Sequence, residues 1–173
     1  MNKLEFQEIM EQHGDYLVRL AYVYVKEWAT AEDIVQDVFV KFYETSSKYE
    51  QRATLKTYLA KMTINRSCDH LRSVKGRFQI LKRYWQPETL FKADTEKEML
   101  DKFTQNSVAA SVFALPLKYR EVIVLYYYDD MTSREIANLL NLPENTVKTR
   151  LKRAKAQLKQ ALSFVNGEVN FNE

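Results

Sequence analysis

Six cations and no acid occupy residues 148 to 159: Lys148, Arg150, Lys152, Arg153, Lys155 and Lys159. Groups at that density can neutralise successive phosphates of a nucleic acid, and Arg and Lys can also donate to guanine edges in a major groove. On a helix advancing about 100° per residue, Val147, Leu151, Ala154 and Leu158 fall within about 60° of one another. Asn145, Thr149, Lys152 and Arg153 then project the other way, with Lys148 and Arg150 flanking them. A solvated, Lys-rich surface helix has the same composition, so the residues ahead of it must decide between the two readings.

Those residues carry turn chemistry. Thr132 with Glu135 three positions later has the form of a capping box opening a helix. Ala137 is small enough for a close helix crossing, and Asn141 stands where a left-handed backbone is wanted, which Asn tolerates better than most residues. Pro143 and Glu144 suit the first turn of a following helix. Ile136, Leu140, Leu142, Val147 and Leu151 form the expected buried set. Residues 132–151 therefore read as a helix-turn-helix whose second helix offers an amide- and guanidinium-bearing face to duplex DNA.

Little else in the chain supports catalysis. Only His13 and His70 offer imidazoles, no Ser or Cys has a spaced base, and no Gly-rich loop could cradle a phosphate. The single Cys68 excludes a disulfide framework and a four-thiolate zinc site, and neither cofactor nor metal is expected. Three Gly and three Pro among 173 residues disfavour barrels and hairpin-rich sheets, while 46% hydrophobic content argues against global disorder. No apolar run approaches about 18 residues. The start, Met1-Asn2-Lys3-Leu4-Glu5-Phe6, is acidic and amphipathic rather than leader-like, so a cytoplasmic protein without membrane insertion is expected.

The net charge of +3 hides a segregation along the chain. Residues 1–50 hold five Lys and Arg against ten acids, whereas residues 51–83 hold nine against one. Residues 84–106 are acidic again, and residues 107–173 carry a net +2. Two basic blocks set apart by acidic stretches suggest a polyanion touched at two places, with other surfaces left for a different partner.

The elements that must position these groups are helices. Phe6, Met10, His13, Leu17, Leu20 and Tyr24 form one stripe on a helix over about residues 3–27, closed by Trp28. Thr30, with Asp33 three residues on, is the expected N-cap of a second helix that buries Ala31, Ile34, Val35, Val38, Phe39 and Phe42 and ends near Ser46-Ser47. Leu55, Tyr58, Leu59, Met62 and Leu71 mark a third helix to about Val74, with Gly76 as its stop. Residues 77–95 lack a sustained period and read as a connector. Met99, Leu100 and Phe103 open the C-terminal group, and Pro116 begins a helix lined by Val122, Ile123, Leu125, Tyr126 and Tyr127. The expected class is all-α, two small helical domains joined by a linker, the C-terminal one containing the helix-turn-helix.

Four segments, in this order, carry a family resemblance. Ala31-Glu32-Asp33-Ile34-Val35-Gln36-Asp37-Val38-Phe39-Val40-Lys41-Phe42, then Leu55-Lys56-Thr57-Tyr58-Leu59 with Asn65-Arg66-Ser67-Cys68-Asp69-His70-Leu71-Arg72, resemble the first domain of bacterial extracytoplasmic-function sigma factors. Leu115-Pro116-Leu117-Lys118-Tyr119-Arg120-Glu121-Val122-Ile123 and Asn145-Thr146-Val147-Lys148-Thr149-Arg150-Leu151-Lys152-Arg153-Ala154 resemble the second.

The resemblance implies a non-catalytic specificity subunit of RNA polymerase that directs promoter recognition for a stress or envelope-response regulon, with core polymerase, promoter DNA and an anti-sigma factor as partners. It implies a polymerase- and downstream-element-binding domain over 1–76, a linker over 77–95 and an upstream-element-binding domain over 96–173. Polymerase docking carries over to Asp33, Gln36, Asp37 and Val40. The third helix then meets the melted downstream strand, with Lys56, Lys61, Arg66 and Arg72 on phosphates and Tyr58 and Asn65 stacking on or hydrogen-bonding a base. Tyr58 stands where the family usually has Trp, and packing against Leu55 and Met62 is an equal reading of it. Asp69 either accepts a hydrogen bond from a base or pairs with Arg66 or Arg72. Upstream-element contacts fall to Asn145, Lys148, Thr149, Arg150, Lys152 and Arg153, Asn145 replacing the family's usual Gly. The main rival is a transcription factor acting alone as a symmetric dimer; an N-terminal half without strand–helix alternation disfavours a receiver domain for it.

Overall fold

The computed structural model describes residues 2–46, 53–84 and 107–166, and among these the chain is helical with no strand. The helices are α1 (Lys3–Val25), α2 (Trp28–Thr45), α3 (Leu55–Tyr84), α4 (Ser107–Ala114), α5 (Leu117–Tyr127), α6 (Ser133–Leu140) and α7 (Glu144–Asn166). They divide between two compact units, Met1–Lys92 and Ala93–Glu173. The apolar residues Met99, Leu100 and Phe103 and connector residues 85–95 lie outside the described residues.

In the first unit α1, α2 and α3 pack against one another. Asn2 and Glu5 close a reciprocal capping box on α1, the Glu5 N–H donating to Asn2 at 2.8 Å and the Asn2 N–H to Glu5 at 2.9 Å. Lys26 ends the helix in a left-handed conformation with φ 59°. The apolar stripe is graded. Leu17, Leu20 and Tyr24 are buried, Phe6 lies edge-on to Phe39 and Tyr43, and Met10 is 40% exposed. Opposite them α2 buries all six apolar residues expected of it, and α3 contributes Leu59, Ala60, Thr63, Ile64 and Ser67. The Thr63 hydroxyl donates to the Leu59 carbonyl at 2.9 Å, which lets a polar side chain lie in the core.

Two local expectations are corrected. The N-cap of α2 is Glu27, not Thr30, and Trp28 opens α2 rather than closing α1. The Glu27 carboxylate accepts the Ala29 and Thr30 N–H groups at 3.1 and 2.7 Å and the Thr30 hydroxyl as well. Trp28 stacks on Tyr22 with ring centroids 4.4 Å apart. Gly76 does not stop α3, which runs on to Tyr84 and takes in residues 77–84 of the expected connector. A glycine terminates a helix by turning left-handed; within a right-handed helix it is tolerated at a cost of about 1 kcal/mol relative to Ala.

The Thr30 hydroxyl is the chief cause that holds the Glu27 carboxyl below its ordinary value; burial opposes it, and the two backbone donors and His70 add to it. A carboxyl depressed in the folded state contributes stability above its unfolded pKa, about 4.3, and loses it as pH falls through the folded value. Melting temperature followed by circular dichroism should therefore fall more steeply below about pH 4.5 for the unaltered chain than for Glu27→Gln. Parallel curves would remove this carboxylate from the acid response.

In the second unit Pro116 stands at the N-cap of α5, where its missing N–H costs nothing. The buried Arg120 guanidinium donates to the carbonyls of Phe113 at 2.9 Å and Leu115 at 3.4 Å, tying the end of α4 to α5. Thr132 and Glu135 form the expected capping box, and the Thr132 hydroxyl holds the Glu135 carboxyl below its usual range. Asn141 has φ 54° and ψ 47°, the left-handed turn its position predicts. Ile136, Val147, Leu151, Ala154, Leu158 and Leu162 are buried. Leu139 is buried as well, whereas Leu140 and Leu142 are only half-buried.

Candidate nucleic-acid interface

The turn residues fix how α7 presents its outer face. With Val147, Leu151, Ala154 and Leu158 inward, the side chains of Asn145, Lys148, Thr149, Lys152 and Arg153 are exposed, together with Lys155 and Lys159. Lys148 Nζ lies 2.8 Å from Glu144 Oε1, and this contact holds the Glu144 carboxyl below its usual range. An exposed pair of that kind is weak and screened by solvent, so Lys148 is readily released to a phosphate. The Thr149 hydroxyl donates to the Asn145 carbonyl at 2.8 Å, and the Asn145 side chain is exposed in the first turn of α7. Arg150 departs from the set. It is half-buried, and its Nη1 donates to Glu121 Oε1 on α5 at 2.9 Å.

Lys148, Lys152 and Lys155 also rim a shallow recess shared with Tyr126, Ser133 and Leu151. Lys155 Nζ lies 5.9 Å and 5.6 Å from the ring centroids of Tyr126 and Tyr127, which makes a cationic and aromatic shoulder beside the outer face of α7. Neither Tyr126 nor Ser133 stood out in the sequence as a site residue. The available signal was Ser133's position directly after the N-cap of the first helix of the motif.

The first unit has two candidate faces that meet. On α2, Asp33, Gln36, Asp37 and Val40 are all exposed at i, i+3, i+4 and i+7, and Val40, at 59% exposure, leaves an isopropyl group in water beside two carboxylates. On α3, Asn65, Arg66, Asp69 and Arg72 are exposed. Asp69 pairs with Arg72 at 2.7 Å, the second of its two sequence readings. Arg66 reaches across to α2 and donates from Nε and Nη2 to Asp37 Oδ2 at 3.0 and 2.6 Å. One residue of each expected surface is thereby bound to the other, through side chains that remain about half exposed.

At the start of α3, Lys56 is exposed with its Nζ 4.4 Å from the centre of the Tyr16 ring. Partial burial first, and the Lys56 charge second, push the His13 imidazole below its usual range, which favours its neutral form. Lys61 is half-buried. Tyr58 is half-buried too and edge-on to Phe42, 6.2 Å between centroids, so packing is the reading this geometry favours. Among the described residues no helix is long and apolar enough to cross a membrane.

Similarity to known proteins follows the same division. Residues 9–77 match the family model for Sigma-70 region 2, and residues 109–158 match the model for Sigma-70, region 4. The chain is similar to the ECF RNA polymerase sigma factor SigW of Bacillus subtilis, 29% identical over 165 residues, covering 91% of this chain and 88% of that protein. The RNA polymerase sigma factor SigV of the same organism is 31% identical over 142 residues, covering 82% and 81%. Among solved structures, the fold resembles that of the sigma factor RpoE in complex with the anti-sigma factor NepR from Bartonella quintana, with a TM-score of 0.71 at 19% identity over 92% of this chain and 97% of that one. CnrH in complex with the cytosolic domain of CnrY gives a TM-score of 0.65 at 24% identity, over 95% and 91%. A region 2 match ahead of a region 4 match, a relative above 30% identity along four-fifths of its length and two basic helix faces agree: this chain belongs to the sigma-70 family of RNA polymerase sigma factors, in its extracytoplasmic-function group.

Proposed function

We propose that this sigma factor works in the cytoplasm as a specificity subunit without a catalytic centre of its own, and that its surfaces divide the task as follows. Asp33, Gln36, Asp37 and Val40 on α2 dock on core polymerase. Lys56, Lys61, Asn65, Arg66, Asp69 and Arg72 along α3 receive the melted downstream element, with Tyr58 packed edge-on to Phe42. Asn145, Lys148, Thr149, Lys152 and Arg153 on α7 enter the major groove of the upstream element. The domains are proposed as 1–76 and 96–173, joined through 77–95, of which 77–84 continue α3. An anti-sigma protein is the proposed regulator, on the analogy of the RpoE complex with NepR.

The observation that carries this reading is the outward cationic face of the second helix of a helix-turn-helix, in a chain whose other unit presents an acidic and apolar helix face beside a basic one. A duplex binder acting alone needs only the first of these. The test is co-purification with core polymerase followed by run-off transcription, where initiation at defined promoters only in the presence of this chain is expected. Protection of a palindrome by a dimer without polymerase would overturn it.

Asp37→Lys should reduce capture of core polymerase in a pull-down at moderate salt while the circular dichroism spectrum stays helical. The substitution removes a docking carboxylate and also sets Lys beside Arg66, whose present partner is Asp37. Since exposed pairs contribute at most about 1 kcal/mol, folding should survive. Undiminished capture would remove this face from the polymerase interface.

A further inference from the structure

Of the six cationic residues between 148 and 159, five are exposed and Arg150 is half-buried. Its side chain is 24% exposed and that of its partner Glu121 is 12% exposed, with Nη1 to Oε1 at 2.9 Å. The two residues are 29 apart in sequence and belong to α7 and α5. On α7, Arg150 lies three residues after Val147 and four before Ala154, both fully buried, so it stands on the edge of the seam by which α7 sits in its unit. A guanidinium held at such a seam has a fixed direction, and a helix bound through it has a fixed rotation about its own axis.

We propose that Arg150 is a positioning residue for duplex binding. Through Glu121 it sets the rotation of α7 on α5 and hence the angle at which Asn145, Lys152 and Arg153 meet the groove, and it makes no contact with phosphate or base itself. The proposal rests on the reading of α7 as the helix that enters the major groove. Rotation of a helix by one residue's share, about 100°, would carry its outer face round to the flank, so even a fraction of that displaces side chains that must reach particular base edges. The same pair explains why a basic residue at this position is compatible with a buried seam, since Glu121 supplies the charge that burial requires.

Glu121→Gln separates a positioning role from a contact role by sign. If Arg150 touched phosphate, neutralising Glu121 would free the guanidinium and leave binding equal or tighter. If Arg150 positions the helix, Glu121→Gln weakens binding although Glu121 cannot itself attract DNA. The experiment measures binding of the full chain, reconstituted with core polymerase, to a duplex carrying the upstream element of a promoter it transcribes, across a salt series. Glu121→Gln and Arg150→Gln should each lose about tenfold in affinity, because either change releases the rotation of α7, with an unchanged slope against salt. Lys152→Ala, as the contact control, should lower that slope by about 0.9. The exchanged double variant Glu121→Arg with Arg150→Glu should recover most of the affinity, because the link is restored in reverse. Tighter binding by Glu121→Gln, a slope reduced by Arg150→Gln, or a helical double variant that binds worse than either single would overturn the proposal. Should the double variant not fold, the two Gln variants decide alone. No salt-dependent duplex binding by the unaltered chain, or binding by the Lys152→Ala control as tight and as salt-dependent as that of the unaltered chain, would instead refute the groove reading of α7.

Discussion

Ile136→Ala should destabilise the C-terminal unit by about 2–5 kcal/mol, the range for removing three buried carbons from a core that relaxes only in part. Ile136 has no exposed surface and lies on α6, whose packing against α7 makes the motif. Small domains have a net stability of about 5–15 kcal/mol, so the loss is a large share of what holds α7 in place. Thermal unfolding of the full chain by circular dichroism should show it directly. Duplex binding should weaken at temperatures near the lowered midpoint and recover on cooling, since no DNA-facing group has been removed. Leu140→Ala, at a half-buried position on the same helix, serves as comparison and should cost less. Equal losses at the two sites would contradict the seating of α6 described above.

Lys152→Ala and Arg153→Ala should impair upstream-element recognition and leave polymerase association intact, because both side chains are exposed on the face of α7 opposite its buried seam. Loss of a base contact costs about 1–3 kcal/mol, roughly 5- to 150-fold in affinity, and relaxes the preference at one position of the site. Loss of a phosphate contact weakens all sequences alike and lowers the salt slope by about 0.9. Promoter selection from a randomised upstream element, read alongside affinity, assigns each residue to one kind of contact. Run-off transcription from a native promoter should fall for both variants; normal transcription by both would refute the groove assignment. Lys148→Ala should have a smaller effect, since forming a phosphate contact there requires giving up the pair with Glu144.

The parts of the fold that were legible in the sequence are those written by neighbours within one helical turn. The Thr132 and Glu135 box, the left-handed Asn141 and Pro143 ahead of α7 are local devices, and each stands in the structure where its spacing placed it. The seam of Val147, Leu151, Ala154 and Leu158 follows from helical period alone, and so does the exposed face opposite. Asp69 with Arg72 is a pair three residues apart, and the sequence already offered it as one of two readings. Local rules failed where two of them competed. Thr30 and Glu27 are both acceptable caps; the carboxylate accepts two backbone donors and Trp28 stacks on Tyr22 of the preceding helix, so α2 begins earlier. Gly76 is a stop only if the chain needs to turn there, and α3 continues.

What tertiary structure alone decided includes two ion pairs that join helices. Asp37 meets Arg66, and Glu121 meets Arg150, each pair 29 residues apart. Along the chain, Asp37, Arg66 and Arg150 stood among the charges assigned to polymerase or DNA, and Glu121 carried no assignment. The partner of a long side chain is set by the helix packed beside it, and packing is settled by apolar area buried across the whole unit rather than by the spacing of charges. The sequence by itself therefore determined that α7 carries a basic face and that α2 carries an acidic one; which of those charges also bridge to a neighbouring helix, exposed as in Asp37 and Arg66 or half-buried as in Arg150, was decided only when the helices came together.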